Sequence, residues 1–219
     1  MLSKNSRNLK EQPRTASEIE TLLKQKGCSL SHPILPFQLE LGGYLIPDIH
    51  STSAIRLGMT YRSGISFLNN QWLCEFGFYE GEEGKTIGAP GELVMDERGA
   101  LFLSDYTCPI ASSIQVYLES HSIVELLSER KDLRLLSGSG ENLIIKNSKL
   151  IILNQILIAK DFVVVTEASD AFNHWWIGSD SIVEASLPWE GDGSEFEVWI
   201  YANSHVEPKM FIDTFQGLT

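Results

Sequence analysis

The sequence contains one pair of residues spaced like metal ligands. Cys28 and His32 lie four positions apart, but Pro33 follows directly and no second Cys/His pair stands nearby. Structural zinc is held by four such ligands. We therefore expect no metal. We expect no nucleotide cofactor either, because the SGSG segment at 137–140 follows a predicted helix and lacks the lysine of a phosphate-binding loop.

Nucleophilic catalysis requires a serine or cysteine beside a base that a third group orients. Asp170, His174 and Cys108 have suitable side chains, but any chain of this length offers such triplets. The sequence has no G-x-S-x-G nucleophile elbow and no cysteine-protease signature. We therefore predict a protein that is not an enzyme and has no catalytic residues.

Acidic side chains are concentrated in glycine-rich segments such as YEGEEGK and WEGDGSE. A nuclease or glycosidase brings two or three carboxylates into one cleft, and sequence spacing does not reveal such convergence. These acids are interpreted as solvated turn charges, as a protein-binding patch, or as a catalytic or metal-binding group. The candidate partner-binding set comprises Glu80, Glu82, Glu83, Asp96, Trp189, Glu190 and Asp192.

Trp189 belongs to this set because no periodic pattern in LPWEGD requires its burial. Protein interfaces favour a central tryptophan surrounded by charge, and a tryptophan ringed by acids suits a basic partner. The alternative is that Trp189 fills the core. Trp175 and Trp176 are adjacent, so in a strand they face opposite sides and at least one belongs to the core.

The formal net charge of -12 is unevenly distributed: residues 1–16 carry +3, residues 17–137 carry -7 and residues 138–219 carry -8. Nucleic-acid-binding proteins gain most of their affinity from Lys and Arg, so we expect no direct binding of DNA or RNA. An acidic surface either speeds encounter with a basic partner or simply keeps a protein soluble.

The 219 residues contain no apolar run of about 18 residues, as a membrane helix requires, and the N-terminus has no apolar region of a signal peptide. The three cysteines are widely spaced and cannot all pair, which is typical of thiols in a reducing compartment. We therefore expect a cytoplasmic protein without membrane insertion.

Two helices are predicted near the N-terminus. SEIETLLKQKG carries Ser17 and Glu20 in capping-box spacing, with Gly27 as the stop. Residues 34–41 form a second apolar group, with prolines suited to a helical first turn. Residues 55–79 favour strands, and ELVMD and ALFLSD flank a turn that ends in Gly99.

The second half of the chain begins with a predicted helix in PIASSIQVYLESHSIVELLSER, where Pro109 suits the first turn. The runs NLIIK, KLIIL, QILIA and DFVVV follow at close spacing, which predicts an antiparallel meander. The expected organisation is a flexible tail at 1–16, an α+β domain at 17–137, and a β-rich extension at 138–219 packed on that domain.

Four segments resemble the SUKH superfamily of Smi/Knr-type proteins: ETLLKQKG, PFQLELGGYLIP, GELVMDERGALFLSD and PIASSIQVYLE. They cover roughly residues 18–128. The resemblance implies an α+β fold in which helices pack on one side of a twisted antiparallel sheet. It assigns mainly structural roles to the matching residues, which are Gly42, Gly43, Pro47, Gly99 and Ser113.

The resemblance also implies a role, since most bacterial members of this superfamily are thought to bind and neutralise a cognate toxin. We therefore predict an immunity protein that occludes a basic toxin domain without a cofactor, and a nucleic-acid-targeting toxin is one candidate. The alternative is an intracellular scaffold or regulatory protein-interaction module on the same fold.

Overall fold

The computed structural model describes residues 3–4, 13–47, 54–80, 93–103, 108–136, 143–188, 193–207, 211, 215 and 218. Helices and antiparallel strands are mixed in this part, which confirms the predicted α+β class and the β-rich C-terminal part. The chain divides into two compact units, Met1–Pro109 and Ile110–Thr219. This division lies well before the boundary at 137–138 that the sequence predicts.

The described residues of the first unit form two α-helices and an antiparallel sheet. The sheet has the order β1-β2-β3-β5-β6-β7, and β4 pairs with β5. Its elements are β1 Ser3–Lys4, α1 Ala16–Lys26, α2 Ile34–Leu41, β2 Tyr44–Pro47, β3 Ala54–Leu57, β4 Ile65–Leu68, β5 Gln71–Glu80, β6 Leu93–Asp96 and β7 Leu101–Leu103.

The N-cap of helix α1 lies two residues earlier than predicted. Thr15, not Ser17, is the N-cap, and Glu18 completes the capping box by accepting from the Thr15 backbone N–H. The Thr15 hydroxyl also donates to the Glu18 carboxylate, and that carboxylate accepts from the Tyr61 hydroxyl at 2.6 Å. Gly27 ends the helix at φ 77°, as predicted.

The turn between α2 and β2 lies at the two glycines chosen from the sequence. Gly43 has φ 90°, a region that favours glycine. A Cβ on Gly42 would come within 2.5 Å of the Gln38 carbonyl oxygen. The Gln38 side chain accepts from the Met59 N–H at 2.7 Å and donates to the Arg14 carbonyl at 2.9 Å. This buried amide therefore joins the helix to two neighbouring segments.

The segment predicted as a flexible tail is partly ordered into this unit. Ser3 and Lys4 pair with β2, Pro13 forms a bridge with Thr60, and the Arg14 N–H donates to the Met59 carbonyl at 2.7 Å. Backbone pairing needs no apolar pattern in the side chains, so the pairing of this segment is not visible in the sequence.

In the part of the second unit that the structure describes there are two further α-helices and a six-stranded antiparallel sheet, with order β10-β14-β13-β12-β11 and β9 paired to β14. Its elements are α3 Ile114–Glu129, β9 Leu133–Leu135, β10 Leu143–Lys146, α4 Leu150–Ile158, β11 Val163–Val164, β12 Asn173–Ile177, β13 Ser181–Ser186 and β14 Glu195–Asn203. Strand β8, Pro109–Ala111, spans the boundary between the units.

The meander prediction is wrong for KLIIL and QILIA, which together form helix α4. Its buried residues Leu153 and Leu157 are four positions apart, which is helical spacing. Apolar residues also occupy the outward side, so the sequence shows no clear period. A short helix that is apolar all round resembles a pair of short strands in sequence.

Helix α3 begins at Ile114, and the hydroxyl of Ser113 accepts from the Val116 N–H as its N-cap. The sequence predicts Pro109 in the first helical turn, but the residue lies in β8. The helix belongs to the second unit because Ile123 packs with Ala168 and Trp175 in one buried cluster. The sequence-based boundary had placed α3 with the first domain.

Both faces of the second sheet are covered, and its adjacent tryptophans mark the two faces. Trp175 and Trp176 are each 1% exposed. The Trp175 indole N–H donates to the Ser120 hydroxyl of α3 at 3.2 Å, whereas the Trp176 indole N–H donates to the Asn154 side-chain oxygen of α4 at 2.8 Å. Both tryptophans are therefore core residues with satisfied polar atoms.

Candidate functional site

The β4–β5 hairpin of the first unit presents the clearest candidate interaction surface. Its two-residue turn consists of Asn69 and Asn70, with φ 51° and 63°. Positive φ at both positions is the type I′ arrangement, whose twist matches that of paired strands, and Asn tolerates it best after Gly. The register places Phe67 directly opposite Trp72.

Phe67 and Trp72 form what we call the hairpin surface. Phe67 is 55% exposed and Trp72 is half-buried, whereas Leu68, also 55% exposed, lies on the opposite face of β4. The Phe67 and Trp72 ring centroids are 4.9 Å apart with the rings tilted by 55°. An aromatic pair in this geometry stabilises the hairpin and leaves a large apolar area in contact with water.

The alternation of β5 explains why this area is exposed. Trp72, Cys74 and Phe76 lie on one face of the strand, and Cys74 and Phe76 are fully buried. Phe76 packs edge-on against Phe37 of α2, with centroids 4.9 Å apart. Trp72 continues the same apolar line toward the turn, where its burial falls.

Polar contacts fix the base of the hairpin. The Glu75 carboxylate accepts from the Gly64 N–H at 2.6 Å, and the Glu75 N–H donates to the Gly64 carbonyl at 3.1 Å. The Ser63 hydroxyl accepts from the Thr60 N–H at 2.8 Å. The segment leading into β4 is therefore held before the apolar surface begins.

His32, one of the two residues considered for a metal, is buried beside this strand. Its Nδ1 accepts from the Ile34 N–H at 3.1 Å. Burial lowers the pKa of His32 more than the Trp72 backbone, Glu97 and Asp96 raise it, so the ring is neutral. Among the described residues, no group of three or more His, Cys, Asp and Glu side chains is placed to hold a metal ion.

The thiols of Cys28 and Cys74 are also buried. Burial is the main cause that raises the pKa of both, and Glu97 adds to the shift. Thiolate is the reactive form of cysteine, so these two side chains are chemically inert at neutral pH. Cys108 is more accessible than either.

Asp96 is the one predicted partner-binding side chain that the structure describes, and it is buried. One carboxylate oxygen accepts from the N–H groups of both Arg98 and Ala100, each at 2.8 Å. Gly99 has φ 89°, as its position in the turn predicts. The Asp96 carboxylate is thus directed into the β6–β7 turn.

The rest of the predicted partner-binding set is not placed. Glu80 is the last residue of β5. Its side chain, together with Glu82, Glu83, Trp189, Glu190 and Asp192, lies outside the described residues. The binding role of these residues stays a prediction.

Asp170, one member of the triplet considered for nucleophilic catalysis, is fully engaged with the backbone. It accepts from the N–H groups of Ser112, Phe172 and Asn173 at 2.6, 2.7 and 2.9 Å. The His174 ring stacks on Trp176 with centroids 5.8 Å apart, and burial lowers the His174 pKa. Asp170 therefore fixes a loop that precedes β12.

Glu184 is the most perturbed acid among the described residues. It lies on β13 opposite Trp199 of β14, and Glu197 lies on the same face two residue pairs along. Burial, with Glu197 as a second cause, raises the pKa of Glu184 to about 8. This shift favours the protonated form of the Glu184 carboxyl, a residue that the sequence did not single out.

The sequence did contain a signal for the hairpin surface, although it was missed. Asn-Asn between ISFL and QWLCEF is a type I′ turn signal, and the residues next to such a turn are the furthest from any covering helix. Large apolar side chains at those positions are therefore expected to be exposed to solvent.

Comparison with protein-family models, with curated proteins and with solved structures finds no match for this chain. No helix within the described ranges has the length and apolar character needed to cross a membrane.

Proposed function

We propose that this is a non-catalytic binding protein, and specifically an immunity protein of the SUKH type that neutralises a basic toxin by occluding it. The family part of the proposal rests on the four sequence segments between residues 18 and 128. That stretch crosses the boundary between the two units, since α3 belongs to the second.

The hairpin surface is the observation that carries the binding role. Exposing a phenylalanine ring and half of a tryptophan beside it brings no benefit to folding. Interfaces are enriched in aromatic residues at their centres. The rigid base of the hairpin also lowers the entropy lost on binding, because the side chains need not be ordered from a mobile loop.

Charge supports a basic partner. The chain carries -12, and Glu97 is an exposed carboxylate within electrostatic reach of His32, which lies beside Trp72. A partner arginine would gain from stacking on the Phe67 and Trp72 rings as well as from the surrounding acids. Long-range attraction of this kind acts mainly on the association rate.

The test begins with the open reading frame next to the gene for this protein. If it encodes a toxin, its expression should arrest growth of a bacterial host, and co-expression of this protein should restore growth. The double substitution Phe67→Ser with Trp72→Ser should abolish protection. In the matched control, Leu39→Ser, protection should persist, because Leu39 is a 74% exposed apolar residue on α2 of the same unit.

Surface plasmon resonance on the purified pair then separates charge from contact. The association rate should fall steeply with salt, and the hairpin substitutions should raise the dissociation rate, with a loss of about 2 kcal/mol or more. Full protection by the hairpin variant would show that the hairpin surface is not part of the interface. A neighbouring gene that encodes no toxin would contradict the immunity role and favour a scaffold.

A further inference from the structure

Strand β4 forms an open edge of the first sheet. Among the described residues it pairs with β5 alone, so no strand adjoins its other side. Every residue from Ser66 through the turn to Asn70 is exposed. A strand in this position offers its unpaired backbone groups to any other strand that approaches.

The register of the hairpin shows which backbone groups are free. Residues in an antiparallel ladder alternate between hydrogen-bonded and non-hydrogen-bonded pairs, and the Glu75 N–H donates to the Gly64 carbonyl. Ile65 and Phe67 therefore belong to non-hydrogen-bonded pairs, and their N–H and C=O groups point away from β5. In the part of the chain that the structure describes, these four groups have no hydrogen-bond partner.

The sequence of β4 does not protect this edge. Edge strands commonly carry a lysine, another charge or a proline that hinders pairing with a further strand. The edge strands β9 and β10 of the second unit carry Arg134 and Lys146. Strand β4 reads ISFL and has none of these residues. An approaching strand therefore meets no charge that must be desolvated or that repels it.

We propose that two copies of this chain associate through β4, antiparallel about a two-fold axis at Ser66. In this register Ile65 of each copy faces Phe67 of the other. Each of these two pairs exchanges both of its free N–H and C=O groups, so the ladder continues from one sheet into the other. The same strand edge serves on both copies, as a two-fold axis requires.

Neighbouring registers leave some of these groups unpaired. A shift of the axis to Ile65 would require the Ser63 N–H, which already donates to the Thr60 carbonyl at 3.1 Å. A shift to Phe67 would require Asn69, which leaves the strand at φ 51°. The register centred on Ser66 alone uses only groups that are free in β4.

The side chains also match in this register. The two Ser66 side chains meet at the axis, where the Cα atoms of a non-hydrogen-bonded pair approach to about 4.5 Å, and small hydroxyl residues can hydrogen-bond there. Phe67 packs beside Ile65 of the other copy, so its exposed ring loses contact with water. Leu68, on the opposite face, lies opposite Gly64, which has no side chain of its own.

A second copy fits this edge better than a strand of another protein. A foreign strand would find the same backbone groups, but only a second copy brings side chains that this sequence specifies. The contact is smaller than the roughly 800 Å² per partner of a standard interface, so we expect a weak dimer with a Kd of the order of 10–100 µM. The inference does not depend on the proposed function, because this pairing needs no toxin.

Sedimentation equilibrium of the full chain, from about 5 to about 500 µM, measures the dimer directly. Ser66→Lys places two lysines opposite each other at the axis and should weaken association at least about tenfold. Ser66→Glu should do the same, whereas an equal mixture of the two variants should restore association, because lysine then faces glutamate. Thr21→Lys adds the same charge at an exposed position of α1 and should leave association unchanged.

A second pair of variants separates the backbone from the side chain. Phe67→Ala removes the ring and keeps the outward N–H. Phe67→Pro removes both, yet breaks no bond to β5, since proline is tolerated where the N–H of an edge strand faces outward. The proline variant should therefore associate more weakly than the alanine variant. Circular dichroism and urea denaturation check that each variant is folded.

Salt provides a further check, because each copy carries a net charge of -12. Added salt screens this repulsion, so association should strengthen with ionic strength. A chain that stays monomeric up to about 500 µM would overturn the proposal and leave the edge to a strand of another protein. So would a dimer that Ser66→Lys leaves intact, or one that the mixture of lysine and glutamate variants does not restore.

Discussion

Tryptophans on the two sheets have opposite surroundings. Trp175 and Trp176 lie in the middle of a strand whose two faces are covered by different helices, and each indole N–H reaches a side chain of its own helix. Trp72 lies near the end of a hairpin, half-buried beside an exposed phenylalanine. Strand residues become core only as far as a second layer extends over them, and aromatic residues beyond that limit are available to a partner.

The largest effect should come from removing the second sheet. A chain that ends at Leu136 keeps α3 but loses Trp175 and Ile182, with which Ile123 packs. We expect it to bind an apolar dye strongly or to precipitate, and to do so more than a chain that ends at Pro109. Equal dye binding by the two chains would contradict the assignment of α3 to the second unit.

Replacing a covered tryptophan should separate the two environments most directly. Trp176→Ala removes a fully buried ring and should lower the free energy of unfolding by about 3–5 kcal/mol in urea denaturation. Trp72→Ala should lower the free energy of unfolding by clearly less, because the Trp72 ring is already partly exposed to water. Similar losses for both variants would show that the hairpin surface is part of the core.

Acid titration should distinguish the covered sheet from exposed positions on the same strands. Burial raises the pKa of Glu184 to about 8, above its ordinary value of 4.5. The stability it contributes is complete below the ordinary pKa and is lost as the pH rises toward 8, with a slope of at most about 1.4 kcal/mol per pH unit.

Glu184→Gln should flatten this pH dependence between pH 5 and 8, because glutamine has the same shape and no charge to desolvate. Glu195→Gln, at an exposed position of β14, should leave the dependence as it is. Denaturation midpoints of the three proteins across this pH range provide the measurement. An unchanged slope in Glu184→Gln would mean that Glu184 is ionised in the folded protein.

The smallest effect is expected at the β6–β7 turn, which uses glycine where the β4–β5 turn uses two asparagines. Gly99→Val places a β-branched residue at φ 89° and should cost about 1–3 kcal/mol. Arg98→Val, one position earlier and exposed, should change the urea midpoint little. Loss of stability in both variants would point to the side chains of the turn and not to its backbone.

Local rules predicted much of the first unit. Gly27, Gly99 and the prolines around α2 act through their own backbone geometry, so sequence alone identifies them. The failures concern tertiary contacts. Helix α4 has apolar residues on every side, so its sequence shows no helical period, and its packing on the sheet distinguishes it from a pair of strands. The sequence of α3 does not indicate which of the two sheets it packs on. The pKa of Glu184 depends on neighbours that β14 brings from more than ten residues away.

The thiol chemistry has a practical consequence for distance measurements. A thiolate adds to the double bond of a maleimide, so the buried Cys28 and Cys74 should stay unmodified while Cys108 reacts first. Cys108 lies one residue before Pro109, the last residue of the first unit. A single dye can therefore be attached next to the boundary between the two units without any engineered cysteine.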